Sequence, residues 1–100
     1  MVVIVGESKN PNPDHVLAAA RLGKYLYESK LPFRRADPDE TVAGKTPAWL
    51  SPVLAKTSDL PVLAVVAKSP VGVYSVVAVE ALPLGFEAGK QFLTKHGVKP

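Results

Sequence analysis

The stretch TSDLPVLAVVAKSPVGVYSVVAV, residues 57–79, decides the fold of this chain. Two runs rich in β-branched residues, 62–67 and 73–79, flank the short segment KSPVG. Pro70 suits the second position of a tight turn and Gly72 suits the fourth, where glycine is common. The stretch therefore predicts two antiparallel strands joined as a hairpin.

The residues before the hairpin predict a strand and then a long helix. Residues 2–5, VVIV, are typical of a strand that is buried on both faces. Asn12 can cap a helix, Pro13 fits the first helical position, and Asp14 suits the positive end of the helix dipole. The helical period continues towards Pro32, where the helix should end. Its predicted inward stripe is Ala18, Ala19, Leu22, Tyr25 and Leu26.

The remaining elements are a short strand, a short helix and a final helix. Residues 33–36 predict a strand at an edge of the sheet. Within residues 47–56 we expect a short or kinked helix, because Pro52 would disturb a regular helix that began at Pro47. The last helix should end at Gly97. Its predicted inward residues are Phe86, Gly89, Phe92 and Leu93. The whole chain, 1–100, is thus expected to form one α/β domain with the order β-α-β-α-β-β-α.

Composition limits the chemistry of the chain. Apolar residues make up 47% and charged residues 21%, which is ordinary for a folded domain. The chain contains no cysteine, so disulfides, thiolate metal sites and cysteine nucleophiles are excluded. The N-terminal residues do not have the pattern of a signal peptide, and the apolar runs are too short to cross a bilayer. A cytoplasmic location is the resulting expectation.

The element order resembles the glutaredoxin branch of the thioredoxin fold. A helix of about four turns follows the first strand, the pair Pro32-Phe33 opens the second strand, and Leu60-Pro61-Val62 stands where that family carries its cis-proline. The resemblance implies a thioredoxin-like domain with a central four-stranded mixed sheet flanked by helices. It also implies a cis peptide bond before Pro61, which would leave the preceding backbone free to pair with an extended peptide.

The chain departs from glutaredoxins at the position of their redox motif. Asn12-Pro13-Asp14-His15 stands in place of Cys-Pro-x-Cys, so the proline is kept and both thiols are lost. The family's glycine pair and acidic residues for glutathione have no counterpart in the apolar segment Pro83-Leu84-Gly85-Phe86. Thiol–disulfide exchange is excluded, and no cofactor or metal is expected.

The leading functional prediction is a non-catalytic, thioredoxin-like module that binds a protein or has a structural role. The predicted protein-binding residues are Trp49, Leu60, Pro61, Leu84 and Phe86. Tryptophan is enriched at binding hot spots, although packing into the core is an alternative role for Trp49. By analogy with small viral and phage proteins of borrowed enzyme folds, the chain is a candidate virion component, adaptor or inhibitor of a host protein. Its location would then be the host cytoplasm or the virion.

Two other functions stay open. A small ligand, above all an anionic one, could bind at the helix start formed by Asn12, Asp14 and His15, or an enzyme could use these residues. Nucleic-acid binding through Lys24, Lys30, Arg34 and Arg35 is a weaker alternative, because the net charge of +3 is scattered along the chain.

Overall fold

The computed structural model describes residues 1–6, 13–39, 41–56 and 61–98 of the chain. Strands and helices follow one another in the predicted order. They are β1 (Val2–Val5), α1 (Pro13–Glu28), β2 (Phe33–Ala36), α2 (Ser51–Lys56), β3 (Val62–Lys68), β4 (Tyr74–Ala81) and α3 (Phe86–Lys95). Among these residues, no helix has both the length and the apolar character needed to span a membrane.

The four strands form one open mixed sheet in the order β2-β1-β3-β4. Strand β1 pairs with β2 in parallel, and Val2 lies opposite Phe33. Strand β3 is antiparallel to β1 on its other side, and β4 is antiparallel to β3. The prediction of an α/β fold with a four-stranded mixed sheet flanked by helices is therefore confirmed, as is the edge position of β2.

The hairpin between β3 and β4 turns at the predicted residues. The N–H of Gly72 donates to the carbonyl oxygen of Ser69 at 2.9 Å, and the N–H of Ser69 donates to the carbonyl of Val73 at 2.8 Å. The N–H of Val73 also donates to Ser69 Oγ at 3.1 Å. Gly72 has a φ of 86°, a conformation that glycine adopts at little cost. The strands begin or end one or two residues away from the predicted limits.

Strand β1 divides the core into two clusters, one on each face of the sheet. Val2 and Ile4 face α1 and α3, whereas Val3 and Val5 face α2. Alternate side chains of a strand point to opposite faces, so an all-apolar strand serves both clusters. The cluster under α1 and α3 includes the predicted helix residues Ala18, Ala19, Leu22, Leu26, Phe92 and Leu93. Among the described residues, no polar or charged side chain is buried.

The segment before β3 shows how two prolines produce a short helix. The N–H groups of Leu50 and Ser51 both donate to the carbonyl oxygen of Pro47, at 3.0 and 3.1 Å. This turn leads into α2, in which Pro52 is the second residue. A proline in the first helical turn loses no hydrogen bond, since N–H groups there have no partner within the helix. The prediction of a short helix within residues 47–56 is confirmed.

Helices α1 and α3 end in the same hydrogen-bonded motif. The N–H of Leu31 donates to the carbonyl of Leu26 at 2.9 Å, and the N–H of Val98 donates to that of Leu93 at 2.8 Å. This is the Schellman arrangement, which requires a left-handed residue one position earlier. That residue is Gly97 after α3, as the sequence predicts, but after α1 it is Lys30, with a φ of 57°.

Candidate functional site

Pro61, one of the predicted protein-binding residues, lies at the end of the sheet where β1 and β4 end. The N–H of Leu82, directly after β4, donates to the carbonyl oxygen of Pro61 at 3.0 Å. Gly6, at the end of β1, lies beside Pro61: a Cβ built on Gly6 would be 3.5 Å from the Pro61 Cβ. This end of the sheet is called the Pro61 end below. Pro61 itself is half-buried.

The predicted protein-binding residues are distributed over both faces of the sheet. Trp49 is half-buried against the cluster under α2, whereas Phe86 is half-buried against the cluster under α1 and α3. Leu84 is 55% exposed. It lies two residues after Leu82 in the chain. The structure therefore separates Trp49 from Phe86. Leu60, and with it the geometry of the peptide bond before Pro61, lies outside the described residues.

The predicted ligand-binding residues sit on the first turn of α1. Asp14 is exposed and has an interaction partner, and His15 is half-buried. His15 lies three and four residues before the buried Ala18 and Ala19, so it continues the inward stripe of the helix. Asn12 lies outside the described residues. In the described part of the chain, no group of three or more histidine or acidic side chains could hold a metal ion.

A groove between α1 and α3 is a feature that the sequence did not predict. Its volume is about 300 Å³, and its lining residues are Arg21, Lys24, Tyr25, Glu28 and Phe86. The rings of Tyr25 and Phe86 meet edge to face, with centroids 5.7 Å apart and planes at 82°. Lys90 Nζ lies 5.3 Å from each ring centroid. The groove therefore joins an aromatic floor to several positive charges.

The charges around this groove are only partly matched. Lys24 Nζ lies 3.8 Å from Glu28 Oε1, and Lys90 Nζ lies 3.9 Å from Glu87 Oε1. The guanidinium of Arg21 forms no ion pair with any described residue. Lys90, which the helical period predicts to point outward, is half-buried, and its Nζ lies over both rings. Arg21 and Tyr25 are four residues apart on α1, so the sequence could have predicted that they are neighbours. It gave no sign that Phe86 of α3 joins them.

A second apolar surface follows the hairpin and the free edge of β4. Val71, Val73 and Val77 are 85%, 62% and 52% exposed. Val77 lies where the pairing of β3 with β4 shifts by one residue: Val65 pairs with Ala78 but Val66 pairs with Val76. The extra residue is a β-bulge, which leaves Val77 without a partner on β3. This exposed apolar edge lies away from the Pro61 end.

The residues predicted for nucleic-acid binding do not form one patch around β2. Arg34 pairs with Val3 and Arg35 with Ile4, which face opposite sides of the sheet. Both arginines are exposed, but their side chains leave the sheet in opposite directions. Lys24 points outward from α1 and is partly engaged with Glu28. Lys24, Arg34 and Arg35 therefore do not form one basic surface.

The chain matches no protein-family model, no curated protein and no solved structure. The resemblance to glutaredoxins therefore stays an interpretation of element order and local sequence, and function has to be argued from the residues themselves.

Proposed function

We propose that the chain is a non-catalytic, thioredoxin-like module that binds a partner protein at the Pro61 end of its sheet. The observation that carries the proposal is the exposure of Leu84, an aliphatic side chain two residues after Leu82, whose N–H donates to the carbonyl oxygen of Pro61. An exposed leucine offers a partner protein apolar surface to bury. Without cysteine, the same end has no thiol chemistry to perform.

The proposed topology of the domain is thioredoxin-like, of the glutaredoxin type. Its support is the element order together with the mixed sheet in the order β2-β1-β3-β4, which is compatible with a glutaredoxin-type domain. The proposal includes a cis peptide bond between Leu60 and Pro61. Carbon chemical shifts of the Pro61 ring, measured by NMR, distinguish cis from trans, and a trans bond would remove the main local feature of the resemblance.

By analogy with small viral and phage proteins of borrowed enzyme folds, the proposal extends to a role as a virion component, adaptor or inhibitor of a host protein. The test combines a pull-down from the native source with a measurement of native mass. Leu84→Glu should abolish recovery of the partner because it places a charge in the apolar contact. Val71→Glu is the matched control, since Val71 is more exposed and lies on the hairpin at the opposite end of the sheet.

The outcomes separate the alternatives. Loss of the partner with Leu84→Glu but not with Val71→Glu would support binding at the Pro61 end. Equal recovery with both variants, or a free monomer without any partner, would refute it. Folding of each variant is checked by circular dichroism, and neither site is buried, so both variants should fold.

A second candidate function rests on His15. It continues the inward stripe of α1 at its N-terminal end, where it stands half-buried at the positive end of the helix. A ligand bound there would contact His15 and Asp14. His15→Gln should then abolish ligand binding, while Leu84→Glu should leave it intact.

A further inference from the structure

We propose that the groove between α1 and α3 binds an acidic segment of the partner protein, anchored by an aromatic or proline side chain on the rings of Tyr25 and Phe86. This inference rests on the proposed function and names the chemistry of the partner. The groove lies on the face of the sheet covered by α1 and α3, whereas Trp49 packs on the opposite face, beside α2. The groove and Trp49 therefore belong to different surfaces.

The floor of the groove favours an aromatic or proline anchor. Tyr25 and Phe86 are each half-buried, so each contacts the core and still presents apolar surface to the groove. The edge-to-face contact between the rings, at 5.7 Å, holds them in a fixed relation. Flat apolar side chains such as proline, tyrosine and tryptophan pack well on such preformed aromatic surfaces.

The charges favour carboxylates next to that anchor. Arg21, Lys24 and Lys90 surround the rings, and Glu28 and Glu87 match two of these charges. The remaining charge is that of Arg21, whose planar guanidinium can hold a carboxylate through two parallel hydrogen bonds. Lys24 can also turn towards a ligand, because its contact with Glu28 is exposed and weak. A basic segment would be repelled by Arg21.

The shape of the groove favours a protein segment over a small molecule. Its volume of about 300 Å³ is open to solvent, whereas small-molecule sites usually enclose most of the ligand. A segment laid across the groove can use apolar surface beyond it. Leu84 is two residues before Phe86, and Leu17, which is 50% exposed, is one helical turn before Arg21.

The test is a selection of binding peptides against the full chain, since the partner is not identified. A library of random peptides of about 12 residues, displayed on phage, is long enough to cross such a groove. Enriched sequences are synthesised with a fluorescent label, and their dissociation constants are measured by anisotropy. Wild type is compared with Arg21→Ala and with the control Arg34→Ala, which removes an equally exposed arginine from β2.

We expect enriched peptides that combine an aromatic residue or proline with at least two acidic residues. Arg21→Ala should weaken their binding about tenfold, the loss expected for a charge-assisted contact, while Arg34→Ala should change it less than about twofold. Amide chemical shifts should move in α1 and α3. No enrichment, an uncharged or basic consensus, or equal effects of both substitutions would overturn the inference.

The same experiment distinguishes this inference from the proposed function. If Arg21→Ala leaves peptide binding unchanged and Leu84→Glu abolishes it, the binding site is the Pro61 end and not the groove. Loss of binding in Arg21→Ala together with unchanged binding in Leu84→Glu would keep the groove and remove the Pro61 end.

Discussion

Lys30 ends helix α1 in a backbone conformation that suits glycine better than lysine. Its φ is 57°, and it occupies the position that Gly97, with a φ of 86°, occupies after α3. The hydrogen bonds of the two helix ends are equivalent, because the N–H of Lys30 donates to Tyr27 and that of Gly97 to Thr94, both at 3.1 Å. The left-handed conformation costs a residue with a Cβ about 1–2 kcal/mol, so Lys30 stores strain that Gly97 does not.

Replacement of Lys30 by glycine should therefore stabilise the protein. The strain energy relieved in the folded state is larger than the free-energy cost of the extra conformational freedom that glycine gives the unfolded chain. The free energy of unfolding should therefore rise by about 0.5–1 kcal/mol. Lys30→Ala is the control, since it removes the charge and keeps the Cβ, and it should change stability by less than about 0.5 kcal/mol. Gly97→Ala should lose about 1 kcal/mol. Urea unfolding measures all three, and equal stabilities of Lys30→Gly and Lys30→Ala would contradict the explanation.

At the scale of elements, Gly89 allows α3 to approach α1. A Cβ at position 89 would lie 2.9 Å and 3.0 Å from the two methyl carbons of Leu22, tighter than almost all Cβ contacts in folded proteins. Leu22 is buried, so it has little room to move away. The same approach brings Phe86 onto Tyr25, and the groove therefore depends on a glycine in the middle of a helix.

Gly89→Ala should destabilise the protein in spite of the higher helix propensity of alanine. Alanine contributes about 1 kcal/mol through propensity, but overpacking against Leu22 costs about 1–3 kcal/mol. The steric explanation is tested by making Gly89→Ala in a Leu22→Ala variant. The methyl groups of Leu22 are then absent, so Gly89→Ala should stabilise the protein. Gln91→Ala, on the exposed side of α3, should have an effect below about 0.5 kcal/mol. Additive effects of the substitutions at positions 22 and 89 would rule out their contact.

The two edges of the sheet differ in how they resist pairing with other chains. Strand β2 has only four residues and carries two exposed arginines. Strand β4 has eight residues, of which Glu80 alone is charged, and is interrupted by the bulge at Val77. Charges and short length protect an edge, so β4 is the less protected one.

Val77→Lys should slow aggregation during heating without changing the stability of the native state by more than about 0.5 kcal/mol. Light scattering against time at a fixed temperature measures the rate. Val16→Lys is the matched control, because Val16 is 46% exposed on α1 and the substitution adds the same charge away from an edge. If both variants aggregate at the same rate, net charge and not the edge is responsible.

At the scale of the whole molecule, local signals predicted the elements but not the surfaces that they form together. The β-branched run at Val62, the turn at Pro70 and Gly72, and the helical stripe through Leu22 act over a few residues, and each element appears where it was predicted. The groove needs Tyr25 and Phe86, which come together only when α3 packs on α1. Such contacts depend on packing in three dimensions, which no local periodicity contains.

The bulge and the position of Trp49 were unpredictable for the same reason. A bulge is defined by the partner strand, and the sequence around Val77 continues the β-branched run without interruption. Trp49 lies in a turn before a helix of six residues, where no period assigns a face. The sequence left its role open between a binding surface and the core, and its half-buried contact with the cluster under α2 combines packing with partial exposure.

The stability of the whole molecule should depend little on salt. The described buried side chains are all apolar, and the two described ion pairs, Lys24–Glu28 and the partly exposed Lys90–Glu87, each lie within a single helix. Such pairs contribute about 0.3–0.5 kcal/mol each, against a net stability of about 5–15 kcal/mol for a domain. An increase in NaCl from about 0.1 M to about 1 M shortens the Debye length from about 10 Å to about 3 Å and screens these pairs. The free energy of unfolding in urea should then change by less than about 1 kcal/mol.

Urea is required for this measurement because guanidinium chloride would itself screen the charges. Lys24→Gln provides the internal control: it removes one pair and should make the remaining salt dependence smaller still. A loss of more than about 2 kcal/mol at high salt would show that ionic contacts carry a substantial part of the stability. A nearly constant value would assign the stability to the apolar clusters on the two faces of the sheet. Arg21 and the other charged side chains at the groove would then be free to serve binding without a cost to the fold.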